Sequence, residues 1–261
     1  MLRALIVTPN TPCVRAVAWL ADGHDVRVRT ASIVVKPWLT FGASYEKWAK
    51  KEAKRQSEIL KELLSHTPLL EVWDGNQLLT GDNEIELLAQ ATGDWEPTLI
   101  VCSASSPLLS SLLHSSTYPL LVVPDNLRLS KHGPSRVTVD FSNDVVKASA
   151  LAGRLDLPLR IVAFLSEDFA APNRLHLEMI TSIREETLVK LDELRDQVGG
   201  FVSDVETVIG SGPSLTEAVQ SIRWKKGDLL SVSSTRTDRV FVGATTEELI
   251  RTVSTPVVVS L

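Results

Sequence analysis

The residues best suited to chemistry lie in the second half of the chain. Asp140 ends the apolar run Val137-Thr-Val-Asp140 and is followed by Ser142 in a turn, so a carboxylate and a hydroxyl stand together at the end of a strand. Further on, the segment from Ser233 to Thr246 carries hydroxyls on Ser233, Ser234, Thr235, Thr237, Thr245 and Thr246, and charge on Arg236 and Arg239. Its one glycine, Gly243, permits close approach of backbone to a ligand. Hydroxyl donors, guanidinium groups and amides at a helix N-terminus are the chemistry of anion binding. Opposing it, Glu247 and Glu248 fall in the first turn of the last helix, where they stabilise the helix dipole themselves and repel a polyphosphate.

Other combinations carry less. Gly210-Ser-Gly212 follows a strand and precedes a helix, but Leu215 stands where a dinucleotide fingerprint needs its third glycine, so the segment reads as a tight turn. Ser103, Ser105, Ser106 and His114 have neither a G-x-S-x-G elbow nor an acid followed by a histidine in the order a triad needs, and the serines read as turn and cap residues. The histidines at 24, 66, 114, 132 and 176 include no pair at metal-ligand spacing, and no metal site is expected. Cys13 and Cys102 suggest neither a disulfide framework nor zinc, and Cys102, inside an apolar strand, should be inert.

The elements that must position these residues repeat. The chain has 261 residues, 44% hydrophobic and 23% charged, with material for one large core or two ordinary ones. Leu2–Thr8 is answered by Ser135–Asp140, Thr98–Ser103 by Asp228–Ser233, and Tyr118–Val123 by Thr255–Ser260, each roughly 130 residues on. Between these anchors the spacing predicts helices over 11–21 and 143–154 and strands over 26–34 and 159–165. Two long helices follow. The first is capped by Ser44 and carries Trp48, Ile59, Leu60, Leu63 and Leu64 inward, with Lys47 to Arg55 as a solvated face; the second turns Ile180, Ile183, Leu188, Leu191, Leu194 and Val198 inward. Third strands are expected over 69–73 and 202–208, each followed by a helix and a fourth strand. Alternating strand and helix implies parallel sheets covered on both faces. The polar stretch Pro124–Pro134 separates domains placed at 1–127 and 134–261. Five of the six Trp lie in the first half, a difference of core packing or a Trp-lined pocket.

A net charge of −5 lacks the positive field that nucleic acid requires, no apolar run reaches membrane-spanning length, and the opening MLRALIVTPNTP is too short in apolar residues for a signal peptide. The expectation is a cytoplasmic, soluble protein with no nucleic acid and no membrane span.

The second half resembles a universal stress protein domain, in a first strand ending in Asp140 with Ser142 after it, in Gly210-Ser-Gly212-Pro213 at the end of the third strand, and in Asp228-Leu-Leu, Gly243 and Thr255-Pro-Val-Val-Val. Through the repeat the whole chain resembles a tandem universal stress protein. The resemblance implies two open five-stranded parallel sheets of order 3-2-1-4-5, Rossmann-like and akin to the adenine nucleotide alpha hydrolases, packed as a pseudo-dimer, with the ligand crevice at the carboxyl ends of strands 1 and 4. It implies a ligand or nucleotide site at Asp140, Ser142, Ala163, Ser233, Ser234, Arg236, Gly243 and Thr245, with ATP or another adenine nucleotide as the candidate ligand and no catalytic residue assigned. The family's phosphate loop, G-x-x-G and then G-Ser/Thr, is eroded: Ser233 and Arg236 replace its early glycines and Ala244 its final hydroxyl. In the first half the counterpart of Asp140 is read as Thr8, followed by Pro9, and the loop from Ser103 to His114 has no Lys or Arg. Two functions stay open. One is a non-catalytic stress-response or regulatory protein with at most weak nucleotide or small-anion binding, acting on a protein partner whose chemistry the sequence does not specify, as a monomer or a homodimer. The other binds ATP in the second half, with or without slow hydrolysis.

Overall fold

In a computed structural model the described residues are 1–35, 43–65, 67–93, 95–166, 174–233 and 244–260. The chain divides into two units, Met1–Leu127 and Arg128–Ser260. The segment after Leu127 is tied to the second unit by its backbone: the Arg128 N–H donates to the Ser254 carbonyl at 3.1 Å and the Ser130 N–H to the Lys226 carbonyl at 2.8 Å. Among the described residues no helix is long and apolar enough to cross a membrane.

The first unit runs β1 (Leu2–Val7), α1 (Thr11–Leu20), β2 (Val26–Val35), α2 (Ala43–Ser65), a 3₁₀ turn (Pro68–Val72), β3 (Trp73–Gly81), α3 (Glu84–Gly93), β4 (Leu99–Ser103), α4 (Leu109–Ser115) and β5 (Leu120–Val123). Its strands lie in the order β3-β2-β1-β4-β5 with every pair parallel. β4 and β5 are buried at every residue, as parallel strands covered on both faces must be. Asn10 caps α1 by accepting the Cys13 N–H at 2.9 Å, a bond worth about 1 kcal/mol.

The second unit runs β6 (Arg136–Asp140), α5 (Val145–Arg154), β7 (Leu159–Ser166), α6 (Arg174–Val198), β8 (Val205–Gly212), α7 (Leu215–Ser221), β9 (Asp228–Ser233), α8 (Ala244–Thr252) and β10 (Val257–Ser260). Its order is β8-β7-β6-β9-β10, again parallel throughout. Side chains alternate along a strand, so β6 has two faces of different chemistry. Val137 and Val139 join an apolar cluster with Ala148, Ala152, Ile161, Ala163, Leu191 and Val198. Arg136, Thr138 and Asp140, all buried, occupy the opposite face.

Several sequence expectations are corrected. The third strand of the first unit is not 69–73. Pro68 has no N–H to give a ladder and the chain makes a 3₁₀ turn there, while Asp74-Gly75-Asn76, with the look of a turn, is strand. Gly75 takes a φ of 101° where the register slips between Val28 and Thr30, so the glycine absorbs a bulge and the strand continues. Ser44 lies inside α2 and does not cap it. Ile183 and Leu188 are 44% and 48% exposed. α6 has 25 residues, a length of about 37 Å, whereas the eight residues of β8 span about 26 Å, so only part of the helix finds sheet beneath it. Gly210 and Gly212 are not in a turn but in β8, where α7 passes so close that a Cβ on Gly212 would lie 2.8 Å from Cβ of Glu217.

Candidate functional site

The order β8-β7-β6-β9-β10 places the topological switch between β6 and β9, and the carboxyl ends of these strands carry the candidate residues. Asp140 ends β6 and is 5% exposed. Its Oδ1 accepts the Ser142 N–H at 2.9 Å and also the Ser142 hydroxyl, the geometry of an Asx turn. Burial pushes the Asp140 carboxyl above its ordinary value, and the hydrogen bonds from Ser142, Asn143 and the Phe164 backbone pull against that rise.

Asn143 joins this turn to the neighbouring strand. Its Oδ1 accepts the Ser233 N–H at 2.9 Å and the Ser233 hydroxyl at 3.2 Å, while Ser233 Oγ accepts the Asp144 N–H at 3.1 Å. Asp144 in turn caps α5 by accepting the Lys147 N–H at 2.9 Å. Asp140, Ser142 and Ser233 are thereby brought together. Sequence reasoning missed Asn143, whose only local signal is membership of a run of polar turn residues.

Ala163 is placed elsewhere. Asp140 pairs in register with Val162, so Ala163 turns its Cβ to the opposite face, where it is fully buried in the apolar cluster. Ser234, Arg236 and Gly243 lie outside the described residues. Thr245 belongs to the first turn of α8, as does Glu247, which reaches Arg251 at 3.9 Å.

The first unit offers a different edge. Ala4 pairs with Leu99 as Val137 pairs with Leu229, which aligns Val7 with Asp140. The Thr8 N–H donates to Ala31 at 2.9 Å as the Phe141 N–H donates to Val162 at 2.7 Å, so Thr8 answers Phe141 and not Asp140. Val7 is fully buried and apolar. Thr8 has a φ of 53°, a strained position for a β-branched residue. Beyond β4, Ser103 and Ser105 donate to Asp125 Oδ1 at 2.9 and 2.8 Å. These hydroxyls face a carboxylate, which repels phosphate.

A cleft of about 290 Å³ opens at the other end of the second sheet, lined in part by Arg136, Asp204, Glu206 and Lys225. It was not anticipated, because its residues come from four separate strand entrances. Cys13 and Cys102 are both buried; burial pushes the Cys102 thiol up to about 12 and raises that of Cys13 as well, so neither is a nucleophile at neutral pH. Among the described residues no group of three or more His, Cys, Asp or Glu could hold a metal ion.

No protein-family model matches the chain. Universal stress proteins of Mycobacterium tuberculosis and Mycobacterium bovis are each 25% identical to it over 269 aligned residues, covering 92% of this chain and 91% of the relative. Among solved structures, a universal stress protein from Archaeoglobus fulgidus superposes with a TM-score of 0.59 over 98% of this chain and 95% of that one, at 15% identity. That likeness is one of fold.

Proposed function

Because the chain is a tandem relative of the universal stress proteins, we propose that it is a non-catalytic stress-response or regulatory protein with at most weak nucleotide or small-anion binding in its second unit. One observation carries this reading. Asp140, the carboxylate that would face a nucleoside, spends Oδ1 on both the N–H and the hydroxyl of Ser142 and is nearly closed to solvent. With hydrogen bonds from Ser142, Asn143 and the Phe164 backbone already on this carboxylate and little of it exposed, a ligand gains little from it. The first unit supports the same reading, since Val7 presents a buried alkyl group at that position and Asp125 supplies negative charge to the loop after β4.

The convergence of Asp140, Ser142 and Ser233 at a switch point favours a second reading, ATP binding in the second unit, with Ser234, Arg236, Gly243 and Thr245 completing the site. Mass spectrometry of the purified protein and equilibrium dialysis against ATP separate the two. The first reading expects no stoichiometric nucleotide and no tight binding. Micromolar or better affinity, abolished in Asp140→Ala, would establish the second.

A further inference from the structure

At the amino-terminal edge of its sheet each unit builds a cluster of two arginines and a tryptophan, and the two clusters differ by one carboxylate. In the second unit Asp228, fully buried, accepts Arg136 Nε on Oδ1 at 2.9 Å and Arg136 Nη2 on Oδ2 at 3.0 Å. Arg160 Nη2 reaches the same Oδ2 at 3.1 Å, and the Lys225 N–H at 2.8 Å. Arg136 Nη1 pairs with Glu206 at 2.7 Å, and the Arg160 guanidinium lies 5.1 Å from the centre of the Trp224 ring. Two guanidinium groups meet two carboxylates.

The strand registers carry this arrangement into the first unit. Since Ala4 pairs with Leu99 as Val137 does with Leu229, Arg3 takes the place of Arg136 and Thr98 that of Asp228. Leu5 pairs with Arg29 as Thr138 does with Arg160. Trp95, shortly before β4, matches Trp224 shortly before β9, and its ring lies 5.4 Å from the Arg3 guanidinium and 5.2 Å from that of Arg29. The acid in this cluster is Asp74, whose Oδ2 accepts from Trp95 Nε1 at 3.0 Å and Arg29 Nη2 at 3.4 Å. Thr98 brings only a hydroxyl, which accepts the Arg3 backbone N–H at 2.8 Å. Among the described residues Arg3 has no ion pair, and its Nε is buried without a hydrogen-bond partner.

We propose that this edge is a binding site for a carboxylate group, held by Arg3 where Asp228 holds Arg136. A guanidinium fork matches the two oxygens of a carboxylate, and a buried Nε–H without an acceptor is a cost that such a ligand removes. Stacking on Trp95 fixes both guanidinium planes before the ligand arrives. Thr98 is exposed and Arg3 half-buried where Asp228 and Arg136 are enclosed, so the edge of this cluster meets solvent. The neighbouring Asp74 carboxylate disfavours a dianionic phosphate. The group could belong to a free small acid or to an acidic side chain of a protein partner, and the experiment distinguishes them.

The full chain is titrated with acetate, and separately with a blocked peptide whose one ionised group is a glutamate, at constant ionic strength, with two resonances followed by NMR: the Arg3 Nε–H, and the Trp95 indole N–H beside it, which reads the Arg3→Lys variant. A saturable shift is expected, absent with chloride. Thr98→Asp places a tethered carboxylate in the site and should abolish the response; Arg3→Lys keeps the charge without the fork and should weaken it at least tenfold. Tenfold tighter binding of the peptide than of acetate identifies a protein partner, and equal binding a small acid. No saturable shift beyond that of chloride, or an undiminished response in either variant, overturns the proposal.

Discussion

Asp228 serves two arginines at once, gripping Arg136 through parallel bonds of 2.9 and 3.0 Å while Arg160 closes on its second oxygen at 3.1 Å. None of the three side chains is more than 8% exposed. Removal of the carboxylate leaves two guanidinium groups facing each other away from water. Asp228→Ala should therefore destabilise the second unit by about 3–5 kcal/mol, because an uncompensated buried charge costs more than the pair itself contributes. Chemical denaturation followed by far-UV circular dichroism measures this; a loss under about 1 kcal/mol would mean that water replaces the carboxylate at no cost.

Asp140 titrates in the opposite sense to a paired acid. Its folded-state value lies above the ordinary one through burial. Between the two values the folded chain holds the proton more firmly than the unfolded chain, so the stability of the wild type declines as pH rises from the ordinary carboxylate range through the raised value, and is level beyond it. Asp140→Asn keeps an Oδ1 to accept from Ser142 and has no charge to bury. Its advantage over the wild type should grow with rising pH across that window. Denaturation midpoints of both proteins from pH 4 to 8 provide the comparison, and a wild type that gains on the variant would show the carboxylate to be favourably paired.

Gly210 and Gly212 admit α7 to the sheet. A Cβ on Gly210 would come within 2.8 Å of Ile222 Cγ2 and would press on the Ala218 carbonyl. Gly210→Ala should cost about 1–3 kcal/mol by overpacking. Gly200→Ala, where an added Cβ meets nothing within 4 Å, should change the thermal midpoint little and serves as the control.

The parts of the fold readable in the sequence are those where one local signal decides. β4 and β5 are apolar runs short enough to be strands buried on both faces, and with the alternating β6 their recurrence exposes the internal repeat. β3 was hidden because Asp74-Gly75 has the chemistry of a turn, and only pairing with β2 shows that Gly75 belongs to a bulge. The inward face of α6 was misjudged at Ile183 and Leu188, since periodicity describes a helix but not how much sheet lies under it. At the candidate site, Asp140 and Ser142 are visible as neighbours. Asn143 is not, because its partner Ser233 is 90 residues away. A separation of 92 residues likewise concealed the pairing of Arg136 with Asp228, which in the sequence is only the acid that opens a strand.

The register that aligns Val7, and not Thr8, with Asp140 also bears on how the first unit could acquire an acid at that position. Thr8→Asp, the change a linear alignment suggests, would place the acid at an exposed left-handed residue, where Asp sits more comfortably than Thr; the fold would gain, and no acid would stand where Asp140 does. The change that meets the register, Val7→Asp, buries a carboxylate among β1's apolar neighbours before any ligand is there to reward it. The first unit therefore stands behind a barrier: the easy substitution gives no counterpart of Asp140, and the one that does must first pass through a less stable protein.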